Sequence, residues 1–173
     1  MKLEYLSQEQ CLKEYIKIAT SINPTLSIEV GAHEAEYSNA MSIRGIRSIA
    51  FEASPAVYKK YKNYINNFEY INLAITNYAG SIFFNLDSAY NPSDIGHNSI
   101  KDFNLHWRSN GDPIKVSCSS LDLYFNNLQD EKICLWVARF KHTYVLIFHL
   151  TRSYGLAFII FSRIMQKNYM CSN

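Results

Sequence analysis

The apolar residues of the chain fall into segments with two different spacings. Near the start, Leu12, Ile16 and Ala19 recur at the interval of a helical turn, and Pro24 ends that segment. The run Leu26–Val30 that follows is short and rich in branched side chains, as is typical of a buried strand. The pattern therefore predicts a helix followed directly by a strand.

The same alternation continues along most of the chain. Helical spacing recurs at residues 35–46 and 55–66, and a short helix is expected at 120–128. Further apolar runs predict strands at 48–51, 70–74, 81–84, 114–118 and 132–137. Because strands alternate with helices, we predict an α/β fold with a mainly parallel sheet flanked by helices.

The composition is that of one globular core in a reducing compartment. The 173 residues are 48% hydrophobic, which is enough apolar material for a single domain. The net charge of +2 is too small to indicate a nucleic-acid partner. The N-terminus has no apolar signal segment, which favours a cytoplasmic location. The cysteines lack the close spacing of a metal site and indicate free thiols: Cys11, Cys118, Cys134 and Cys171.

The last 36 residues have a different composition from the rest. All 15 acidic residues precede residue 138, whereas five basic residues follow it. We therefore divide the chain into a domain at 1–137 and an atypical basic, apolar tail at 138–173. Residues 144–165 are apolar, but His149, Arg152 and Arg163 interrupt them, which disfavours a membrane-spanning helix.

Two acidic residues stand where a nucleotide-like ligand binds in an α/β sheet. Gly31 follows the first predicted strand and allows a ligand to approach the backbone. Glu29, within the strand, can accept a hydrogen bond from an amino group of the ligand. Glu52 ends the second strand, about 21 positions after Gly31. One carboxylate at this position can accept hydrogen bonds from both hydroxyl groups of a ribose. The alternative for Glu52 is a solvated acid that caps the next helix.

The residues around these two acids resemble the FkbM family of S-adenosylmethionine-dependent methyltransferases. Residues 29–38 read E-V-G-A-H-E-A-E-Y-S against the family's D-V-G-A-N-x-G-E-Y-S, and 50–55 read A-F-E-A-S-P against x-F-E-P-x-P. Shorter matches follow in the family's order at 72–75, 96–100, 116–122 and 135–137. The resemblance covers roughly residues 26–137 and implies a class I, Rossmann-like domain.

The resemblance also implies a cofactor, a reaction and a set of contacts. The cofactor is S-adenosylmethionine, and the acceptor is expected to be a hydroxyl of a small molecule or a carbohydrate. The expected cofactor-binding residues are Glu29, Gly31, Ala32 and His33 at the methionine end, Glu52 and Ala53 at the ribose, and Asn98 and Ser99 near the adenine. No catalytic residue is assigned, since His97 and His106 are more typical of polar loop residues than of a general base.

The chain departs from the family's pattern at several positions. His33 and Ala35 replace Asn and Gly, and Ala35 is tolerable there if its φ is negative. After Val137 the family's acidic motif is missing, with Ala138, Phe140 and Lys141 in place of Asp, Glu and Gly. One hypothesis is that the tail is degenerate, or that it is translated in a different reading frame from that of the family's genes.

Two alternatives to an active methyltransferase remain at this point. The first is a catalytically inactive remnant, because the missing motif would form a wall of the active site. The second is a nicotinamide-dependent oxidoreductase, although the turn at Gly31 lacks the G-x-G-x-x-G pattern. Without the family's last strands, the edge beside residues 135–137 would be unpaired, and residues 144–148 and 156–161 are the apolar segments available to cover it.

Overall fold

The computed structural model describes residues 8–84, 113–125, 132–137, 143–149 and 160–164. The helices are α1 (Gln8–Ser21), α2 (Glu36–Ser42), α3 (Pro55–Tyr61) and α4 (Leu121–Tyr124). The strands are β1 (Leu26–Val30), β2 (Arg47–Glu52), β3 (Glu69–Asn72), β4 (Ala74–Ile75), β5 (Gly80–Phe84), β6 (Ile114–Ser119), β7 (Lys132–Val137), β8 (Thr143–His149) and β9 (Ile160–Ile164).

A six-stranded sheet with the order β3-β2-β1-β7-β8-β9 forms the centre of the molecule. Its first four strands are parallel, and β8 and β9 are antiparallel to their neighbours. The chain moves outward from β1 through α2 to β2 and through α3 to β3, and later returns to the other side of β1 as β7. This reversal of strand order at β1, in a mainly parallel sheet flanked by helices, is a Rossmann-like arrangement, as predicted.

The two faces of the sheet carry different residues because side chains alternate along each strand. Leu26 and Ile28 of β1 pack with Phe51 of β2 in an apolar cluster, which is covered by Leu121 of α4 and by Phe125 directly after that helix. The residues between them, Ser27 and Glu29, face the opposite side and are also buried. The face of the sheet opposite α4 is therefore partly polar, and both acids proposed to contact a ligand lie on it.

Helix α1 packs on that polar face through residues spaced four apart. Cys11, Tyr15 and Ala19 are buried together against Tyr37 and Cys134. The Tyr15 hydroxyl and Ser27 Oγ are hydrogen-bonded at 2.8 Å, which satisfies both polar groups inside the core. This explains why a strand interior tolerates a serine at this position.

The helices are shorter than predicted. Helix α2 ends at Ser42 because Gly45 adopts a φ of 78° and the Ile46 N–H donates to the Met41 carbonyl at 3.2 Å. This is the glycine-terminated end that many helices have. Helix α3 ends at Tyr61 where 66 was predicted, and α4 ends at Tyr124.

A second sheet, with the order β4-β6-β5, was not predicted from the sequence. The expected strand at 70–74 is divided, since Asn72 still pairs with Glu52 of β2 whereas Ala74 pairs with Cys118 of β6. Ala74 is buried with Phe84, Val116 and Cys118 in a separate apolar cluster. That cluster accounts for the chain leaving the first sheet after Asn72.

The tail contributes two strands to the main sheet. All six residues of β7 pair with β8, from Lys132 opposite His149 to Val137 opposite Tyr144. The expectation that residues 144–148 cover this edge is confirmed. Of the other available segment, 156–161, only residues 160 and 161 lie within the described ranges, where they begin β9 and pair with β8 rather than with β7.

Candidate functional site

The loop after β1 folds back over the end of β2. The N–H groups of Gly31 and Ala32 both donate to the Phe51 carbonyl, at 2.9 and 3.0 Å. Three loop residues have left-handed backbones: Gly31 at φ 74°, His33 at φ 49° and Ala35 at φ 57°. The loop is therefore a tight structure joined to the ends of two adjacent parallel strands.

Ala35 stands where the family's pattern has Gly, and this replacement was expected to be tolerated if the φ of Ala35 were negative. Its φ is positive, so that condition is not met. A left-handed backbone costs a residue with a side chain on the order of 1 kcal/mol. The Ala35 side chain is fully buried with Ala32 and Ala50, and one buried methyl group contributes about 0.8 kcal/mol. Packing therefore offsets much of the strain at this position.

Glu29 caps helix α2 from the neighbouring strand. Its Oε2 accepts the Ser38 N–H at 2.8 Å, whereas Ala35, at the N-cap position, has no side chain able to do so. Burial raises the pKa of Glu29 to about 8, against a smaller lowering by the Ser38 and Tyr37 N–H groups. The Ser38 hydroxyl group also lowers it.

Glu52 joins the loops that follow β1 and β2. Its Oε2 accepts the His33 N–H at 2.8 Å, and its Oε1 accepts the Ser54 N–H at 2.7 Å. The side chain is 7% exposed, and burial raises its pKa although both N–H groups lower it. Ser54 itself caps α3 by accepting from the Val57 N–H, so Glu52 is not the solvated helix cap considered as an alternative.

The carboxylate of Glu52 retains capacity for a ligand. An ionised carboxylate has about four acceptor positions, and the two backbone donors occupy one on each oxygen. The Ala53 N–H also favours the charged form, so at most two positions remain for hydroxyl donors. Ala53, the next residue, is half-buried, and the Asn72 side-chain amide donates to the carbonyl groups of both Glu52 and Ala53.

Tyr70 and Asn72 of β3 are site residues that sequence reasoning missed. The Tyr70 hydroxyl donates to the His33 carbonyl, and its ring stacks on Tyr58 at 5.2 Å between centroids. Tyr70 pairs with Ala50, two residues before Glu52, so it lies on the same face of the sheet. The alternation of side chains along β3 was the available signal. Using it required knowing which residues of β2 and β3 pair.

An open groove of about 580 Å³ lies between α2 and the segment after α3, next to the loop that follows β1. Its lining includes two acids and three aromatic residues: Glu34, Glu36, Tyr61, Tyr64 and Phe68. The Lys60 ammonium lies 4.9 Å from the centre of the Tyr61 ring. Since Glu29, Gly31 and Glu52 do not line this groove, it is separate from the predicted ligand position.

Several predicted positions lie outside the described residues: Asn98 and Ser99, His97 and His106, and Ala138, Phe140 and Lys141. Cys171 is also outside them, whereas Cys11, Cys118 and Cys134 are buried thiols that form no disulfide bond within the described residues. In the part of the chain that the structure describes, no three His, Cys, Asp or Glu side chains are grouped to hold a metal ion. Within the same ranges, no helix has the length and apolar character to cross a membrane.

Comparisons with known proteins leave the family open. No protein-family model matches the chain, and no curated protein sequence matches it. Among solved structures, it is similar to a Plasmodium falciparum protein described as a protein-L-isoaspartate O-methyltransferase in complex with S-adenosyl-L-homocysteine. The TM-score is 0.37 and the identity 12%, over 97% of this chain and 77% of that one. So low a TM-score carries no argument about this chain, and the FkbM resemblance stays a prediction.

Proposed function

We propose that this protein binds S-adenosylmethionine at the carboxyl ends of β1 and β2 and transfers its methyl group to a hydroxyl of a small molecule or a carbohydrate. The observation that carries the proposal is the arrangement of Glu52 and the Gly31–Ala35 loop at the strand where the sheet order reverses. In open α/β sheets, ligands bind in the crevice at this position.

The methionine end of the cofactor would lie against the loop. Because the N–H groups of Gly31 and Ala32 bond to Phe51, the loop would offer carbonyl oxygens, which suit a positively charged amino group. Gly31 is exposed, and its left-handed backbone favours a residue without a side chain. Glu29 is 2% exposed and would act chiefly by holding the start of α2. Ala32 and His33 would complete the contact with the methionine end of the cofactor.

The ribose would bind to the free acceptor positions of Glu52, beside Ala53. Hydrogen bonds to a charged group contribute roughly 1.5–3 kcal/mol each, so this contact would dominate affinity for the nucleoside. We expect Asn98 and Ser99 near the adenine on the basis of the family resemblance. The bound cofactor would supply an activated methyl group on a sulfonium, and the protein would align it with the acceptor oxygen.

A catalytically inactive, cofactor-binding protein is the second candidate. The observation that favours it is the sequence after Val137, where Ala138, Phe140 and Lys141 replace the acidic motif that the resemblance implies. The strand that follows, β8, runs antiparallel to β7 after only five intervening residues, 138–142. Such a chain would bind S-adenosylmethionine without transferring the methyl group to any hydroxyl acceptor.

Calorimetric titration with S-adenosylhomocysteine tests the binding site. We expect micromolar affinity for the wild-type protein and at least a tenfold loss in Glu52→Ala, because one or two charged hydrogen bonds are removed. Glu69→Ala is the matched control, since Glu69 is an exposed acid on the neighbouring strand. Thermal unfolding of each variant shows whether it is folded.

Each outcome of the titration separates the parts of the proposal. A folded wild-type protein that does not bind S-adenosylhomocysteine contradicts the cofactor. Equal affinities for wild type and Glu52→Ala contradict the ribose contact. Binding without methyl transfer from labelled S-adenosylmethionine to a panel of alcohols and sugars favours the inactive protein.

A further inference from the structure

The peptide backbone of His33 is held from both sides by side chains of two different strands. Its N–H donates to Glu52 Oε2 at 2.8 Å, and its carbonyl accepts from the Tyr70 hydroxyl. Glu52 lies at the end of β2 and Tyr70 on β3, which pairs with β2. Neither contact comes from the loop itself, so the conformation of His33 depends on the sheet beside it.

The conformation that these contacts hold is a strained one. His33 has a φ of 49°, in the left-handed region that residues with a side chain adopt rarely. Such a backbone persists only when the surrounding structure determines it. The other left-handed residues of the loop, Gly31 and Ala35, lie two positions away on either side, so a change at His33 would alter the whole turn.

Tyr70 is well suited to hold the carbonyl of His33. Its ring stacks on Tyr58 at 5.2 Å, which restricts its side-chain orientation. Burial, together with the Glu52 and Glu29 carboxyl groups, raises the pKa of Tyr70 well above its usual range. The hydroxyl therefore stays protonated at neutral pH and remains a donor.

We propose that Tyr70 is a positioning residue which, with Glu52, keeps His33 in the left-handed conformation and so orients the Gly31–His33 backbone toward the methionine end of the cofactor. The part that concerns the cofactor rests on the proposed function, whereas the hold on His33 does not. Glu52 then has two roles, since the same carboxylate that accepts His33 N–H is proposed to accept the ribose. Order in the loop and affinity for the nucleoside are thereby linked.

The hold on His33 can be tested without any ligand. Tyr70→Phe keeps the stacked ring and removes only the hydroxyl, and Tyr58→Phe is the matched control, since the Tyr58 hydroxyl makes no hydrogen bond within the described residues. We expect amide hydrogen exchange in the loop at 31–35 to be at least tenfold faster in Tyr70→Phe than in wild type. Exchange in Tyr58→Phe should match wild type, and equal exchange in all three proteins overturns the proposal.

The consequence for the cofactor is tested by titrating the same proteins with S-adenosylhomocysteine. We expect roughly tenfold weaker binding in Tyr70→Phe and less than a twofold change in Tyr58→Phe. Equal affinities of these two variants overturn the positioning role. If the folded wild-type protein does not bind S-adenosylhomocysteine, the proposed function fails with it, while the exchange experiment still decides the hold on His33.

A rescue experiment distinguishes positioning from a general loss of structure. Glycine adopts a φ near 49° without strain, so His33→Gly should reduce the dependence of the loop on Tyr70. We expect the effect of Tyr70→Phe on affinity to fall from roughly tenfold to about threefold or less in a His33→Gly background. An undiminished effect in that background would show that Tyr70 acts in another way and overturns the proposal.

Discussion

Glu29 and Glu52 are the two acids buried within the described residues, and they lie on the same face of the six-stranded sheet. Both accept backbone N–H groups, but from different partners. Glu29 bonds to the N-terminus of α2, whereas Glu52 bridges two loops. The comparison teaches that two buried carboxyl groups on one face of a sheet can hold different parts of a fold, since one fixes the start of a helix and the other joins two loops.

The largest expected effect is the pH dependence of stability that the buried Glu29 causes. Glu29 has a pKa near 4.5 in the unfolded chain and about 8 when folded, so between these values the folded protein holds the extra proton. The free energy of unfolding should therefore fall as pH rises, by at most about 1.4 kcal/mol per pH unit, and level off above pH 8. Glu52, whose pKa is also raised, contributes in the same direction.

Urea unfolding between pH 5 and 9 checks this expectation. Glu29→Gln has no proton to lose, so its stability should vary less with pH and should exceed that of wild type at neutral pH. Glu34→Gln is the control, because Glu34 is exposed on the same loop and should leave the wild-type slope unchanged. A wild-type slope retained in Glu29→Gln would show that burial of this carboxyl group does not govern the pH dependence.

An intermediate effect is expected in the loop at 31–35, which follows the strand of Glu29 and bonds to Glu52. Ala32→Gly and Ala35→Gly each remove one buried methyl group, but Ala35 alone has a positive φ. Ala32→Gly should lower stability by roughly 1–2 kcal/mol. Ala35→Gly should be about 1 kcal/mol less harmful, because glycine relieves the left-handed strain. Thermal unfolding measures both, and equal losses would contradict the strain at Ala35.

The smallest effect is expected at an exposed acid. Glu69 Oε1 lies 3.1 Å from Arg47 Nη2, and both side chains are about half exposed. Exposed ion pairs contribute roughly 0–1 kcal/mol. Glu69→Gln should therefore change the free energy of unfolding by less than about 0.5 kcal/mol and leave its pH dependence unaltered. A larger change would mean that burial is not what distinguishes Glu29 and Glu52 from Glu69.

The sequence by itself determined the order and type of the elements around the site. Branched apolar runs separated by helical spacing predicted β1, β2 and α2 and the parallel sheet that they form. The helix predicted from residue 55 begins at Pro55 in the structure, with Ser54 as its N-cap. These features depend on neighbouring residues alone, and so local spacing is enough to predict them.

Only the tertiary structure decided how the buried polar groups are used. Glu29 caps a helix whose N-cap residue is Ala35, and Tyr70 reaches a carbonyl group 37 positions earlier in the chain. The division of 70–74 between two sheets likewise follows from pairing with β6, a strand some 40 residues later. Such contacts depend on which strands become neighbours, and strand order and register are set by the packing of the whole sheet.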